Sequence, residues 1–187
     1  SSNDFTEAMY YRLAQAVSFS NSFIKNASEL SGDEVNVFIA EARFLRAYAY
    51  YNLLDLYGNV PLTTEISTEL PTQSNRTELF NFIESELMEI ESILLASNEY
   101  GRVDNVAAHA LLSRLYLNAE AWTGQDRYAD CITYSQNVIN SGYTLNMNDA
   151  NGNGTAYDEL FMADNDVNGA QNEFIFTLNF DGMQSQT

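Results

Sequence analysis

Two stretches rich in aspartate and asparagine carry the residue types that could do chemistry in this chain. Asp149, Asn151, Asn153 and Gly154 place hard oxygen ligands at alternate positions, and so do Asp164, Asp166, Asn168 and Gly169. That spacing opens a calcium loop of the EF-hand kind. The twelfth position should then supply a bidentate glutamate, but it is Leu160 in the first stretch and Ile175 in the second, with Glu159 and Glu173 displaced. The same composition also builds ordinary turns in which Asx side chains bond their own backbone. Two readings follow: a calcium site with Asp164, Asp166 and Asn168 as candidate ligands, or a pair of Asx-rich loops without metal. No other cofactor is called for.

Catalytic arrangements are scarce. His109 is the single histidine, so a His-based triad or a multi-histidine metal centre cannot be assembled from this chain alone, and it reads as structural. Cys131 is the single cysteine; it has no partner for a disulfide, and its apolar helical setting reads as that of an inert buried thiol. Glycine-rich nucleotide signatures and the G-x-S-x-G nucleophile turn do not occur. Carboxylates are abundant, but a glycosidase needs two at a set separation around a sugar, and abundance supplies no such geometry. No catalytic residue is assigned; the chain reads as a binding protein. Its 26 acidic residues against 8 basic ones give a formal charge of -18, which repels phosphates and anionic headgroups and excludes nucleic acid as a partner.

Two aromatics stand apart from the many that a core would take. Trp122 ends a helical pattern at AWTGQDRY, where an indole can offer a flat apolar face to a sugar ring or close over the core. Tyr100 lies in the loop SNEYGR with the same two readings.

The elements that must position these residues are mostly helical. From Phe38 to Leu62 runs FIAEARFLRAYAYYNLLDLYGNVPL, whose apolar residues cover nearly all sides at about 100° per residue, as in a helix packed on several faces. Arg43 and Arg46 lie one turn apart among Ile39, Tyr50 and Tyr57, so they are candidate structural ion-pair residues awaiting carboxylates or carbonyls from neighbouring helices. A first helix is predicted from about Phe5 to Lys25. Ser31 with Glu34 has the spacing of a capping box for the second helix, which runs to about Tyr57. Gly58 to Asn75 reads as a long surface loop. Asn75 with Glu78 opens a third helix, on which Glu84, Glu86, Glu89 and Glu91 read as a solvated face. Asp104 caps a fourth from about Asn105 to Ala121, and a fifth spans about Asp126 to Ile139. After Tyr143 the chain turns loop-rich, with a helical turn near Ala156 to Phe161, and EFIFTLNF alternates as a strand does. The fold class is therefore mainly α: antiparallel helix pairs over about 4–141, then a loop-rich region over about 142–187 with one late strand. With 187 residues, 45% of them hydrophobic, a single lobe is expected.

The segment AEARFLRAYAYYNLLDLYGNVPL resembles the signature helix and turn of the SusD/RagB family of outer-membrane nutrient-binding lipoproteins. GRVDNVAAHALLSRLYLNAEAW, then YADCITYSQNVINSGYTL, DELF and NEFIFTL are similar to later family signatures in the same order. The resemblance implies tetratricopeptide-like helix pairs, capture of a glycan at the cell surface, and its delivery to a SusC-like TonB-dependent transporter in the outer membrane. It also implies that the membrane is reached only through a lipid anchor that lies outside this sequence, and that this chain is the amino-terminal part of a larger protein. It carries no glycan-contact residue onto this chain by position. A helical-repeat scaffold that binds proteins and no glycan is the alternative reading.

Overall fold

The computed structural model describes residues 3–180, in which six α-helices lie between Asp4 and Ile139. Helix α1 (Asp4–Ala27) starts where the Asn3 carbonyl oxygen of the side chain accepts from Phe5 N at 3.0 Å. Helix α2 (Asp33–Tyr57) returns beside it: the Tyr57 hydroxyl donates to Thr6 O, and Arg46 meets Asn21, so the two run antiparallel. The capping box expected of Ser31 and Glu34 does not form. Gly32 takes the cap position at φ 135, a conformation open to glycine, which starts the helix one residue later and moves Glu34 out of the N3 position.

Gly58–Asn75 is not wholly irregular, because Val60–Pro61 (β1) pairs antiparallel with Gln73–Ser74 (β2) and closes the excursion at its base. Asn75 and Glu78 then make the expected capping box, each side chain bonding the other's backbone N–H, and α3 (Arg76–Ile90) follows. Asp104 caps α4 (Asn105–Leu117) by accepting from Ala107 N at 2.9 Å. The single fourth helix expected to Ala121 is divided at Asn118, after which α5 (Ala119–Thr123) completes a short turn. Helix α6 (Tyr128–Ile139) packs back on α4.

The core lies between α2, α3 and α4. Tyr50, Phe44, Leu79, Ile83, Leu87, Leu112, Leu115 and Tyr116 are almost fully buried there. Through it run two polar networks that correct the reading of α3 as carrying a solvated acidic face. Glu86 is buried and accepts from both expected arginines, Arg43 Nη2 at 2.7 Å and Arg46 Nη2 at 2.6 Å. Arg46 Nη1 also donates to Asn21 Oδ1 at 2.8 Å, and its guanidinium lies 5.6 Å from the Phe82 ring centroid. Burial alone would lower the pKa of Arg43, but hydrogen bonds to Glu86 and Glu89 outweigh it and raise it. Glu84 accepts from the Tyr116 hydroxyl and pairs with Arg127, while Glu91 accepts from Tyr134 and lies 3.5 Å from His109 Nε2. Of the four carboxylates, Glu89 alone is exposed.

Beyond Ile139 only short 3-10 turns occur among the described residues, at Asp158–Phe161 (η1) and Ala170–Asn172 (η2). The strand expected at EFIFTLNF is absent. Its side chains dock instead: Phe176 meets Phe44 and Tyr48 edge-on at 5.3 and 5.8 Å, so the apolar side of the alternating pattern is satisfied by an aromatic surface of α2 rather than by a sheet.

Candidate functional site

The loop joining α3 to α4 is held from below by α2. Glu41 accepts from Arg102 Nη2 at 2.6 Å and from Asn98 Nδ2 at 3.1 Å, and Asn98 donates also to Val103 O. The Arg102 guanidinium covers the Phe38 ring at 5.1 Å. Asp104, buried at the end of the loop, uses one oxygen to cap α4 and the other to accept from the Tyr143 hydroxyl at 2.7 Å. Burial, then the bond to Asp104, raises the pKa of that phenol. Side-chain bonds thus hold the loop on both sides of Tyr100, at Asn98 and at Arg102 to Asp104, and Tyr100 is presented with 40% of its surface exposed.

Facing it is the segment that docks through Phe176. Between them lies a polar cleft of about 300 Å³, lined among others by Tyr100, Arg102, Tyr143, Gln171 and Phe174. A second cleft of about 760 Å³ runs on toward Leu160, Asn165 and Asp166. Tyr100, Phe174 and Thr177 line both, so the two clefts adjoin as one trough across an aromatic ridge. The floor is tight at Gly101, which sits at φ +82 with Asn179 packed where a Cβ would stand. Among the described residues, the Glu99 and Asp166 carboxylates, the Tyr100 hydroxyl and the Gln171 amide nitrogen make no hydrogen bond within the chain, which leaves them available to a ligand.

Trp122 is placed differently. Its ring is half-buried and meets Tyr51 edge-on at 5.8 Å, with Arg114 over the other ring of that pair. It lines neither cleft of the trough. Cys131 is half-buried rather than buried, with Sγ 3.7 Å from Ser113 Oγ.

Apart from the Asp166 carboxylate, the side-chain oxygens of the two Asx-rich stretches are largely spent within the stretches themselves. Asp149 accepts from Asn153 N and Gly154 N at 3.1 and 2.8 Å, and the side-chain amides of Asn151 and Asn153 donate to Asp158. Those amide bonds, that of Asn153 first, hold the Asp158 carboxyl below its ordinary range. In the second stretch Asn168 turns an N–H toward Asp164 and donates to Glu159 Oε2 at 2.9 Å. A donor therefore faces Asp164 where a calcium ligand set of Asp164, Asp166 and Asn168 needs an oxygen. Glu159 is 2% exposed and also accepts from Asn151 N, so it ties the two loops together. Among the described residues no group of three or more His, Cys, Asp or Glu side chains is placed to hold a metal ion.

A third hollow, of about 950 Å³ and mostly apolar, lies between α1 and α2 and includes Met9, Phe19, Phe23, Leu45, Leu178 and Phe180. Met9 and Phe23 of α1 stay about half exposed along this groove, at 50% and 45%. Among the described residues no helix is long and apolar enough to cross a membrane.

Antiparallel helix pairs whose connecting loops carry an aromatic-ridged polar trough define a helical scaffold with a candidate binding surface. The comparisons narrow this class: a family described as starch-binding and associating with the outer membrane matches residues 2–117, and the chain belongs to this SusD-like family. The starch-binding protein SusD of Bacteroides thetaiotaomicron is 38% identical over 99% of this chain and 33% of its own length. A crystal structure of a SusD-like protein from Bacteroides fragilis superposes with a TM-score of 0.76 at 25% identity, covering 94% of this chain and 34% of that one. A laminarin-binding SusD-like protein gives 0.73 at 25% identity over 87% of this chain and 36% of its own. The chain thus spans about a third of the length of these relatives.

Proposed function

We propose that this chain belongs to a surface-exposed lipoprotein of the outer membrane that captures oligosaccharide or polysaccharide and delivers it, chemically unaltered, to a SusC-like TonB-dependent transporter. The observation that carries this reading is the 38% identity, over nearly the whole chain, to a protein named for starch binding. The site chemistry supports it. The trough offers aromatic surface and unspent polar groups, the combination that sugars meet in binding sites, and no group among those lining it is arranged as a nucleophile with its base. Tyr100 and Trp122 are the proposed aromatic contacts.

Migration in native gels containing soluble starch, laminarin or xyloglucan tests the capture step: retardation by at least one is expected, with no protein-dependent rise in reducing ends. Trp122→Ala should weaken retardation and leave the thermal midpoint nearly unchanged if the indole meets glycan; a large loss of stability places it in the core with Tyr51. The apolar groove between α1 and α2 favours a second reading, a protein-binding scaffold. Retardation by none of the polysaccharides would select that reading.

A further inference from the structure

We infer that the trough ridged by Tyr100 and Phe174 is an oligosaccharide subsite selective for neutral glycans, and that it rejects chains bearing uronate or sulfate. The inference rests on the glycan-binding reading above. Three features of the trough carry it. The first is presentation: Glu41 holds Asn98 and Arg102 on either side of Tyr100, and Asp104 with Tyr143 fixes the α4 end of the loop, so the ordering cost of a recognition loop is largely met before any ligand arrives. The second is the pairing of surfaces. Tyr100 and Phe174 separate a cleft of about 300 Å³ from one of about 760 Å³, so a chain of sugars laid across the ridge has room on both sides and an aromatic surface to rest on at the centre.

Charge is the third. Among the described residues the unspent groups include two carboxylates, Glu99 and Asp166, which accept hydrogen bonds from sugar hydroxyls, together with the Gln171 amide nitrogen and the Ser97 and Tyr100 hydroxyls. Among the described residues lining the two clefts Arg102 is the one cation, and its Nε and Nη2 are committed to Glu41. A glycan carboxylate or sulfate would enter facing carboxylates, in a chain that carries a formal charge of -18. Hydroxyl-rich neutral sugars meet no such repulsion.

Calorimetric titration of the full chain with maltoheptaose, laminarihexaose, a xyloglucan heptasaccharide and an oligogalacturonate tests the assignment. At least one neutral oligosaccharide should bind, the oligogalacturonate should not, and Tyr100→Ala should weaken the neutral ligand by about tenfold or more while Tyr100→Phe stays within about threefold. Because Tyr100 is substantially exposed, its removal should leave the thermal midpoint in place, and Glu99→Arg gives an independent check by admitting the oligogalacturonate. A neutral ligand that binds Tyr100→Ala as tightly as the parent overturns the subsite and leaves glycan capture standing. Oligogalacturonate binding by the parent overturns the charge selection, and the absence of binding by every oligosaccharide overturns both the subsite and the glycan reading.

Discussion

Replacing Glu86 by leucine should destabilise this protein more than replacing either arginine that it holds. The side chain of Glu86 is 9% exposed and that of Arg46 is 7%, with 2.6 Å between Glu86 Oε2 and Arg46 Nη2. Removing one partner of such a pair leaves a buried charge uncompensated and costs about 3–5 kcal/mol. The network is asymmetric, however. After Arg46→Leu, Glu86 still accepts from Arg43, so the cost should fall to about 2–3 kcal/mol. After Arg43→Leu, Glu86 keeps Arg46, and the lost pair with Glu89 was exposed on the Glu89 side, so about 1 kcal/mol is expected. After Glu86→Leu, Arg46 is left with Asn21 and a distant carbonyl of Thr64, and the full cost applies. Urea unfolding reads the order directly: at a slope of about 2 kcal/mol per molar, the Glu86→Leu midpoint should fall by about 2 M. Adding Arg46→Leu to Glu86→Leu should recover stability, because the orphaned charge is removed with its partner. A Glu86→Leu midpoint close to the parent's, or an Arg46→Leu loss larger than that of Glu86→Leu, would refute the reasoning.

Two further outcomes are expected. Tyr134, its pKa pushed up to about 12 by burial and then by Glu91, and Tyr116 and Tyr143, raised by burial and then by their bonds to Glu84 and Asp104, keep their protons in the folded state above the ordinary 10.0 at which the unfolded chain loses them. Their contribution is complete below pH 10 and is lost as pH rises through 12 and beyond, so the thermal midpoint should fall across that window, and Tyr143→Phe should make the fall shallower. An identical slope in the two proteins would count against the Tyr143–Asp104 bond. Phe176→Ala should cost about 2 kcal/mol, since the ring covers Phe44 and Tyr48 while remaining part-exposed; an unchanged urea midpoint would show the segment to be loosely docked.

Much of the helical frame is legible because its signals are local. The apolar pattern of α2 shows a helix buried on several sides, and Asn75 with Glu78 announces α3 through the cap it makes. The same spacing misleads at Ser31 and Glu34, where Gly32 intervenes with a backbone that a cap at Ser31 would not need. Periodicity shows which residues share a face and says nothing of what faces them. The glutamates of α3 therefore look solvated, although Arg43 and Arg46, some 40 positions earlier in the chain, turn Glu86 into a buried centre. EFIFTLNF fails for a related reason: alternation encodes one apolar side, which a sheet or an aromatic helix surface satisfies equally well. In the Asx-rich stretches the oxygens stand at calcium-like spacing, but donors within the two stretches claim those of Asp149 and turn toward Asp164, and the buried tie at Glu159 has no local signal beyond its place in DELF.

The two charged networks divide the work of α2. On one side Arg43 and Arg46 bind α3 through Glu86; on the other, Glu41 reaches up to Asn98 and Arg102 beneath the trough. One helix thus fixes both the neighbour that completes the core and the loop that carries Tyr100. Buried and half-buried ion pairs add little net stability when compared with apolar packing, but each is directional and tolerates few alternative arrangements. Their value at these positions is geometric: Tyr100 is raised on a loop anchored to α2 through Glu41, and Phe174 lies on a segment anchored to the same helix through Phe176. Tyr100 and Phe174 therefore both take their positions from α2, the first through Glu41 and the second through its neighbour Phe176.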